Sequence, residues 1–261
     1  MMRFGPAGLG SIKEALHNLE KFHAEGIRAC EIAFTYGIYI KEKEIARKIG
    51  KAAEDLDIAL SIHAPYWVNL NSLEQKKWEM SQQRILDCCR IGHYLGVKTV
   101  VFHPGYYGKG SREEAYVHIL EAVRKMQEVK EKEGLSPELA AETMGKVNVF
   151  GSLQEILNLV KESECGFCID FAHLLARSNG ILKYDEMYQE VKNFKKLHCH
   201  FSGIAYGDKG EKHHIPTPEL ELKKLLEVFP RNKEITIINE SPVCVEDSIK
   251  AARMWEKMGL K

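Results

Sequence analysis

The chain has 261 residues, and its 37 Lys and Arg are matched by 37 Asp and Glu, leaving no net charge. That length suits one α/β barrel with a large core, while the even charge gives no global pull toward nucleic acid, although a local basic rim is compatible with it. No apolar run nears the roughly 20 residues of a membrane span and the N-terminus lacks a signal-peptide core, so a cytoplasmic protein without membrane contact is expected.

Strand-like and helix-like patterns alternate from end to end. Met2–Phe4 reads as a strand, followed by a helix that Ser11 and Glu14 cap. Strand Ala29–Phe34 and helix 41–55 come next, then strand 58–62 and a long helix over 72–95. Strand Val97–Phe102 precedes helix 111–133; strand 138–141 precedes helix 152–162. Strand 166–169, a shorter helix over 184–193 and strand 196–201 follow. A polar segment, 203–218, with Gly207, Gly210, Pro216 and Pro218, reads as a loop. Helix 219–228, strand 234–239 and helix 245–258 complete the chain. Eight such units without a linker predict a single (β/α)8 TIM barrel domain over residues 1–261, with its active site at the C-terminal strand ends. No G-x-G-x-x-G follows the first strand, so a nucleotide cofactor is not expected. The seven cysteines lie mostly in apolar runs and read as reduced core residues, Cys165-x-x-Cys168 included.

One feature repeats down the chain: a strand ends in a residue able to bind metal. His63 closes the third strand, His103 the fourth, Glu142 the fifth and Asp170 the sixth, with His173 three residues on. The seventh carries His198 and His200, and the last leads to Glu240. In a barrel all of these face one cavity. Such crowding of acids and imidazoles is costly unless cations neutralise the acids. The nitrogen and oxygen donors suit Zn²⁺, with Mn²⁺ also possible, and outnumber what one ion needs. Two or three ions close together suit phosphoester hydrolysis.

With its motifs Ile62-His63-Ala64-Pro65-Tyr66 followed by Asn69-Leu70, Phe102-His103-Pro104-Gly105, Cys168-Ile169-Asp170-Phe171-Ala172-His173 and Asn239-Glu240-Ser241-Pro242, the chain resembles the endonuclease IV family of abasic-site endonucleases, within the xylose-isomerase-like barrels. The resemblance implies up to three zinc ions and damaged double-stranded DNA as partner, cut 5′ of an abasic site in base-excision repair. It implies a first ion on His63, His103 and Glu142; a second on Glu142, Asp170, His198 and Glu240; and a third on His173, Glu211 and His213. Glu142 and Glu240 would be catalytic, orienting or deprotonating the attacking water. His198 is expected as ligand because it precedes Glu211 by the family's 13 residues, with His200 a neighbour or substrate contact. Tyr66 and Trp67 could stack on substrate. Lys41, Lys109, Arg112, Arg177, Lys209 and Lys212, expected on the same face, could contact phosphates.

The chain departs from the family where Glu211-Lys212-His213 replaces D-R-H, Gly5-Pro6-Ala7-Gly8 replaces G-x-H-x-S, and Thr35–Lys41 replaces a basic DNA-reading loop. These changes motivate the alternative of a metal-dependent sugar or sugar-phosphate isomerase or epimerase on the same barrel.

Overall fold

The computed structural model describes residues 1–259. Eight parallel strands form a nearly closed barrel in the order β1-β10-β7-β6-β5-β4-β3-β2. They are β1 (Met2–Pro6), β2 (Ala29–Ala33), β3 (Ala59–His63), β4 (Thr99–Phe102), β5 (Glu138–Glu142), β6 (Gly166–Asp170), β7 (Lys196–Phe201) and β10 (Glu234–Asn239). Around them lie α1 (Ala15–Ala24), α2 (Lys43–Asp55), α3 (Gln75–Leu95), α4 (Arg112–Lys132), α5 (Leu153–Ser163), α6 (Phe171–Arg177), α7 (Tyr184–Val191), α8 (Glu219–Glu227) and α9 (Cys244–Gly259). Helices α4 and α5 open on full capping boxes, Ser111 with Glu114 and Ser152 with Glu155. Ser11 and Glu14 do pair, but in a turn before α1 begins.

Side-chain alternation splits each strand between two cores. Val100 and Phe102 of β4 point out, into the large apolar layer under the helices. Val101, Ala140 and Cys168 point in and fill the lumen with small groups. Above this apolar plug the inward positions turn polar, which places the chemistry at the C-terminal mouth.

The seam of the barrel lies between β1 and β2, which touch through one bridge, Ala7 to Glu31, and a hydrogen bond from Arg28 N to Phe4 O of 3.0 Å. Gly5 makes this approach possible, because a Cβ there would fall on the Ala29 carbonyl. Gly5→Ala is therefore expected to lower stability by about 3 kcal/mol, the upper end for overpacking, since backbone rather than a flexible side chain must give way. A chemical melt unchanged by the substitution would contradict this.

Two elements differ from expectation. The segment read as a polar loop contains an antiparallel hairpin, β8 (Gly203–Gly207) with β9 (Gly210–Ile215). The turn after β6 is also helical: Asp170 caps α6 through a 2.7 Å bond from His173 N. No helix among the described residues is long and apolar enough to cross a membrane.

Candidate metal centre

Glu142, the last residue of β5, lies at the centre of the polar mouth and is buried. Its Oε2 is 3.0 Å from His63 Nε2 and 3.0 Å from His103 Nε2. Its Oε1 is 3.2 Å from His173 Nδ1 and 3.3 Å from His200 Nδ1. One carboxylate thus joins four imidazoles delivered by three other strands and by α6. Glu240, just past β10, approaches His200 Nδ1 at 3.4 Å.

Donor atoms converge in several overlapping groups. His63, His103 and Glu142 form one; Glu142, Asp170, His200 and Glu240 form a second; His173, Glu211 and His214 form a third, the donors in each lying within 4.8 Å of one another. Asp170 Oδ2 is buried and receives no hydrogen bond, though His173 Nδ1 lies 3.3 Å from it. A divalent cation would satisfy it, and the imidazole and carboxylate donors fit Zn²⁺ or Mn²⁺.

The rings are already turned for this role. His63 Nδ1 contacts the Ala64 carbonyl at 2.8 Å and His173 Nδ1 the Thr143 carbonyl at 3.0 Å. A carbonyl can only accept, so both Nδ1 atoms donate, leaving Nε2 as the nitrogen able to offer a lone pair once its proton is displaced. His214 Nδ1 meets Ser202 Oγ at 2.6 Å; that hydroxyl donates to Gly203 O, so it accepts from His214.

The electrostatics favour ionised acids beside protonated imidazoles. Burial pushes the Glu142 carboxyl up, but His103 and His200 outweigh it and hold it well below the usual range. Burial disfavours a charged His63, yet the hydrogen bond and charge of Glu142 prevail and raise it to about 9. His173 is driven well above its usual value against burial by Asp170 and Glu142, and His200 by the acids Glu240, Glu31 and Glu142. In His63 and His200 the ring nitrogen that faces Glu142 is the one a metal would need, whereas His173 meets Glu142 through Nδ1 and turns Nε2 toward Glu211 at 3.6 Å.

Of the residues expected from sequence, His63, His103, Glu142, Asp170, His173, Glu211 and Glu240 are brought together here. Two histidines are exchanged. His200, not His198, stands with Glu142, Asp170 and Glu240. Both point into the lumen, but His200 is in register with Asp170 and His198 with Cys168, one layer deeper. His200 is fully buried and offers substrate no surface. Likewise His214, not His213, joins His173 and Glu211, while His213 is exposed. The cause is a bulge: Ala205 pairs with His213 and Tyr206 with Glu211, leaving Lys212 as the extra residue. The bulge breaks strict alternation, so residues three apart share a face. His214→Ala should remove one equivalent of bound zinc and His213→Ala none; equal metal contents by elemental analysis would refute this placement.

A further residue escaped the sequence reading. Glu31, mid-way along β2, is buried in the lumen with Oε1 2.9 Å from His200 Nε2 and Oε2 3.1 Å from His198 Nε2. Its signal was an acid inside an apolar parallel strand, which needs a partner to be tolerated.

A cleft of about 280 Å³ opens onto the cluster, lined among others by Tyr66, His103, Lys146, His173, His214 and Glu240. Tyr66 stacks on His103, with ring centres 5.1 Å apart and planes 2° from parallel. Trp67 lies on the rim beside exposed Tyr36, 6.1 Å away. Arg177 is not free to meet phosphate: its guanidinium binds the carbonyls of Met144, Lys146 and Val149 and the Tyr107 hydroxyl. A larger cavity of about 630 Å³ sits outside the barrel between α6, α7, α8 and the hairpin, away from these donors.

A family model described as xylose isomerase-like TIM barrel matches residues 19–228. An uncharacterized protein of Methanocaldococcus jannaschii is 34% identical over 274 residues, covering 99% of this chain and 98% of that protein. A probable endonuclease 4 of Mycoplasma capricolum is 29% identical over 150 residues, 54% of this chain and 50% of that protein. Among solved structures, SacUVDE superposes with a TM-score of 0.79 at 17% identity, covering 99% of both chains. D-psicose 3-epimerase of Clostridium cellulolyticum gives 0.71 at 14%, covering 98% of this chain and 99% of that one. Endonuclease IV of Thermus thermophilus gives 0.66 at 22%, with the same coverage. At these identities the structural likenesses speak for the fold.

Proposed function

The chain belongs to the xylose isomerase-like TIM barrel family, and from that premise we propose that it is a metal-dependent phosphodiesterase of the endonuclease IV kind, cutting DNA 5′ of abasic sites. The observation that carries this reading is the shared carboxylate. Glu142 belongs to two donor groups at once and a third group adjoins it, an arrangement for several ions rather than one. His63, His103 and Glu142 would hold one ion; Glu142, Asp170, His200 and Glu240 a second; His173, Glu211 and His214 a third. Zn²⁺ at such positions supplies Lewis acidity and neutralises charge developing on phosphate oxygens.

The chain's own groups then have separate tasks. Glu240 is only half-buried and borders the cleft, so it can meet incoming water, orient it and take its proton. Glu142 lies too deep to meet solvent and fixes the spacing of the imidazoles around it. Tyr66, braced on His103, forms a flat wall against which a sugar or an unstacked base can lie. Lys146 offers a cation to phosphate at the same cleft. Incision of a duplex carrying one abasic analogue, abolished by chelator and restored by zinc, is the expected result. Zinc-loaded protein that leaves the duplex whole would end this reading.

One observation favours a second reading. Glu142, Asp170, His200 and Glu240 by themselves make a complete four-donor set for a single ion, and the cleft is small enough for a sugar. A sugar or sugar-phosphate epimerase would need that set alone. A metal content near one, with activity indifferent to loss of His214, would select it.

A further inference from the structure

We infer that Glu31 is a positioning residue of this centre, fixing the ring of His200 so that Nδ1 is the nitrogen presented to metal. The inference rests on the metal reading above and adds to it a residue outside the donor set assigned there. His63, His173 and His214 each have Nδ1 held by a neutral oxygen, two backbone carbonyls and the Ser202 hydroxyl, His173 Nδ1 also lying 3.2 Å from Glu142. His200 has no such anchor. Its Nε2 faces Glu31 Oε1 at 2.9 Å, in ion-pair contact although off the line of an ideal hydrogen bond. Its Nδ1 faces Glu142 and Glu240 at 3.3 and 3.4 Å. Two chemically different sides of one ring are thus both occupied by carboxylate, and only the Glu240 side reaches the cleft.

Glu31 is itself anchored. Ser61, its register partner on β3, donates its hydroxyl to Oε2 at 2.7 Å, and His198 Nε2 lies 3.1 Å from the same oxygen. Glu31 could in principle be a ligand, because its oxygens also lie near donors of His63, His200 and Glu240. Oε2 is held by Ser61 and His198, however, and Oε1 is turned to the far side of the His200 ring, facing Nε2 at 2.9 Å. With no exposed surface it cannot touch substrate. What remains is the carboxylate–imidazole–metal arrangement, in which the outer acid sets the tautomer and the basicity of the ligand. This also gives His198 a role: it holds the acid that holds the ligand, one layer beneath the metals.

The test compares wild type with Glu31→Gln and Glu31→Leu. Gln keeps an oxygen that accepts from Nε2–H; Leu keeps the volume but accepts nothing. Zinc titration should show the sites that need His200 weakened about 10- to 100-fold in Glu31→Leu and only a few-fold in Glu31→Gln. Uptake at His173, Glu211 and His214 should survive in both, which confirms folded protein. In the zinc-loaded wild type, nitrogen-15 spectra of His200 should show the proton on Nε2 and the metal shift on Nδ1. Unchanged zinc affinity in Glu31→Leu, or a His200 proton on Nδ1, overturns the role of Glu31 alone. Wild-type protein that takes up no zinc overturns the metal reading and this inference with it.

Discussion

Glu142→Gln is expected to leave at most one zinc ion on the chain and to lower abasic-site incision by about a thousandfold. The argument is local. Four imidazole nitrogens stand 3.0 to 3.3 Å from this one carboxylate. An amide of the same shape keeps one acceptor oxygen, turns the other into a donor and removes the charge. The His63 and His103 group loses its sole anion and the second group one of its three, while His173, Glu211 and His214 keep theirs. Several kcal/mol of transition-state stabilisation, about 4 by the usual size of metal contributions, corresponds to about 10³ in rate. The same change also removes the counter-charge of protonated histidines, so the metal-free variant should melt below wild type, and more so at pH 6 than at pH 9. Full metal content in Glu142→Gln would show that the carboxylate is not shared between ions.

The second large effect is a link between zinc and pH. His63 is raised to about 9 in the folded, metal-free chain, above its ordinary 6.5. A group whose value is raised on folding contributes stability that is complete below the ordinary value and disappears as pH climbs through the raised one. The metal-free protein should therefore lose stability between about pH 6.5 and 9, with His173 and His200 acting in the same direction. Zinc must displace these protons, so its affinity should tighten over the same window by about tenfold per pH unit for each proton released. At a free zinc concentration of about a thousand times Kd, the metal should add about 4 kcal/mol of stability. Calorimetry in buffers of different ionisation enthalpy would count the protons. Zinc binding that releases none, with an affinity flat from pH 6.5 to 9, would mean the acids and imidazoles do not bind the ion.

Much of this site was legible in the sequence because strand ends are legible. His63, His103, Glu142, Asp170 and Glu240 each close or follow an apolar run, and a parallel barrel gathers such ends at one mouth. What the sequence could not resolve depends on pairing with distant residues. His198 and His200 share a face, and only register with Asp170 on β6 shows which stands level with the acids. His213 and His214 are exchanged by a bulge whose partner strand is made of Gly203–Gly207, a stretch whose glycines and polar flanks read as loop. Glu31 was hidden for another reason: it sits in mid-strand rather than at an end, and its partner is 169 positions later in the chain, at His200. Spacing alone favoured His198, because counting residues to Glu211 ignores the layer each side chain occupies.

The hairpin gives the centre an unusual modularity. Glu211 and His214 are carried on a two-stranded flap outside the barrel wall, docked to it near Gly145 through Glu211 N at 3.1 Å and a bridge from Lys146 to Gly210. The two residues share a side because Lys212 is supernumerary. Deleting that single lysine would restore even pairing with Glu211 and His214 two apart, still on one side, and leave the barrel's own donors untouched. Losing that one codon would thus spare the third donor group, whereas replacing Glu211 or His214 on the ribbon would leave a two-group centre without disturbing the sheet.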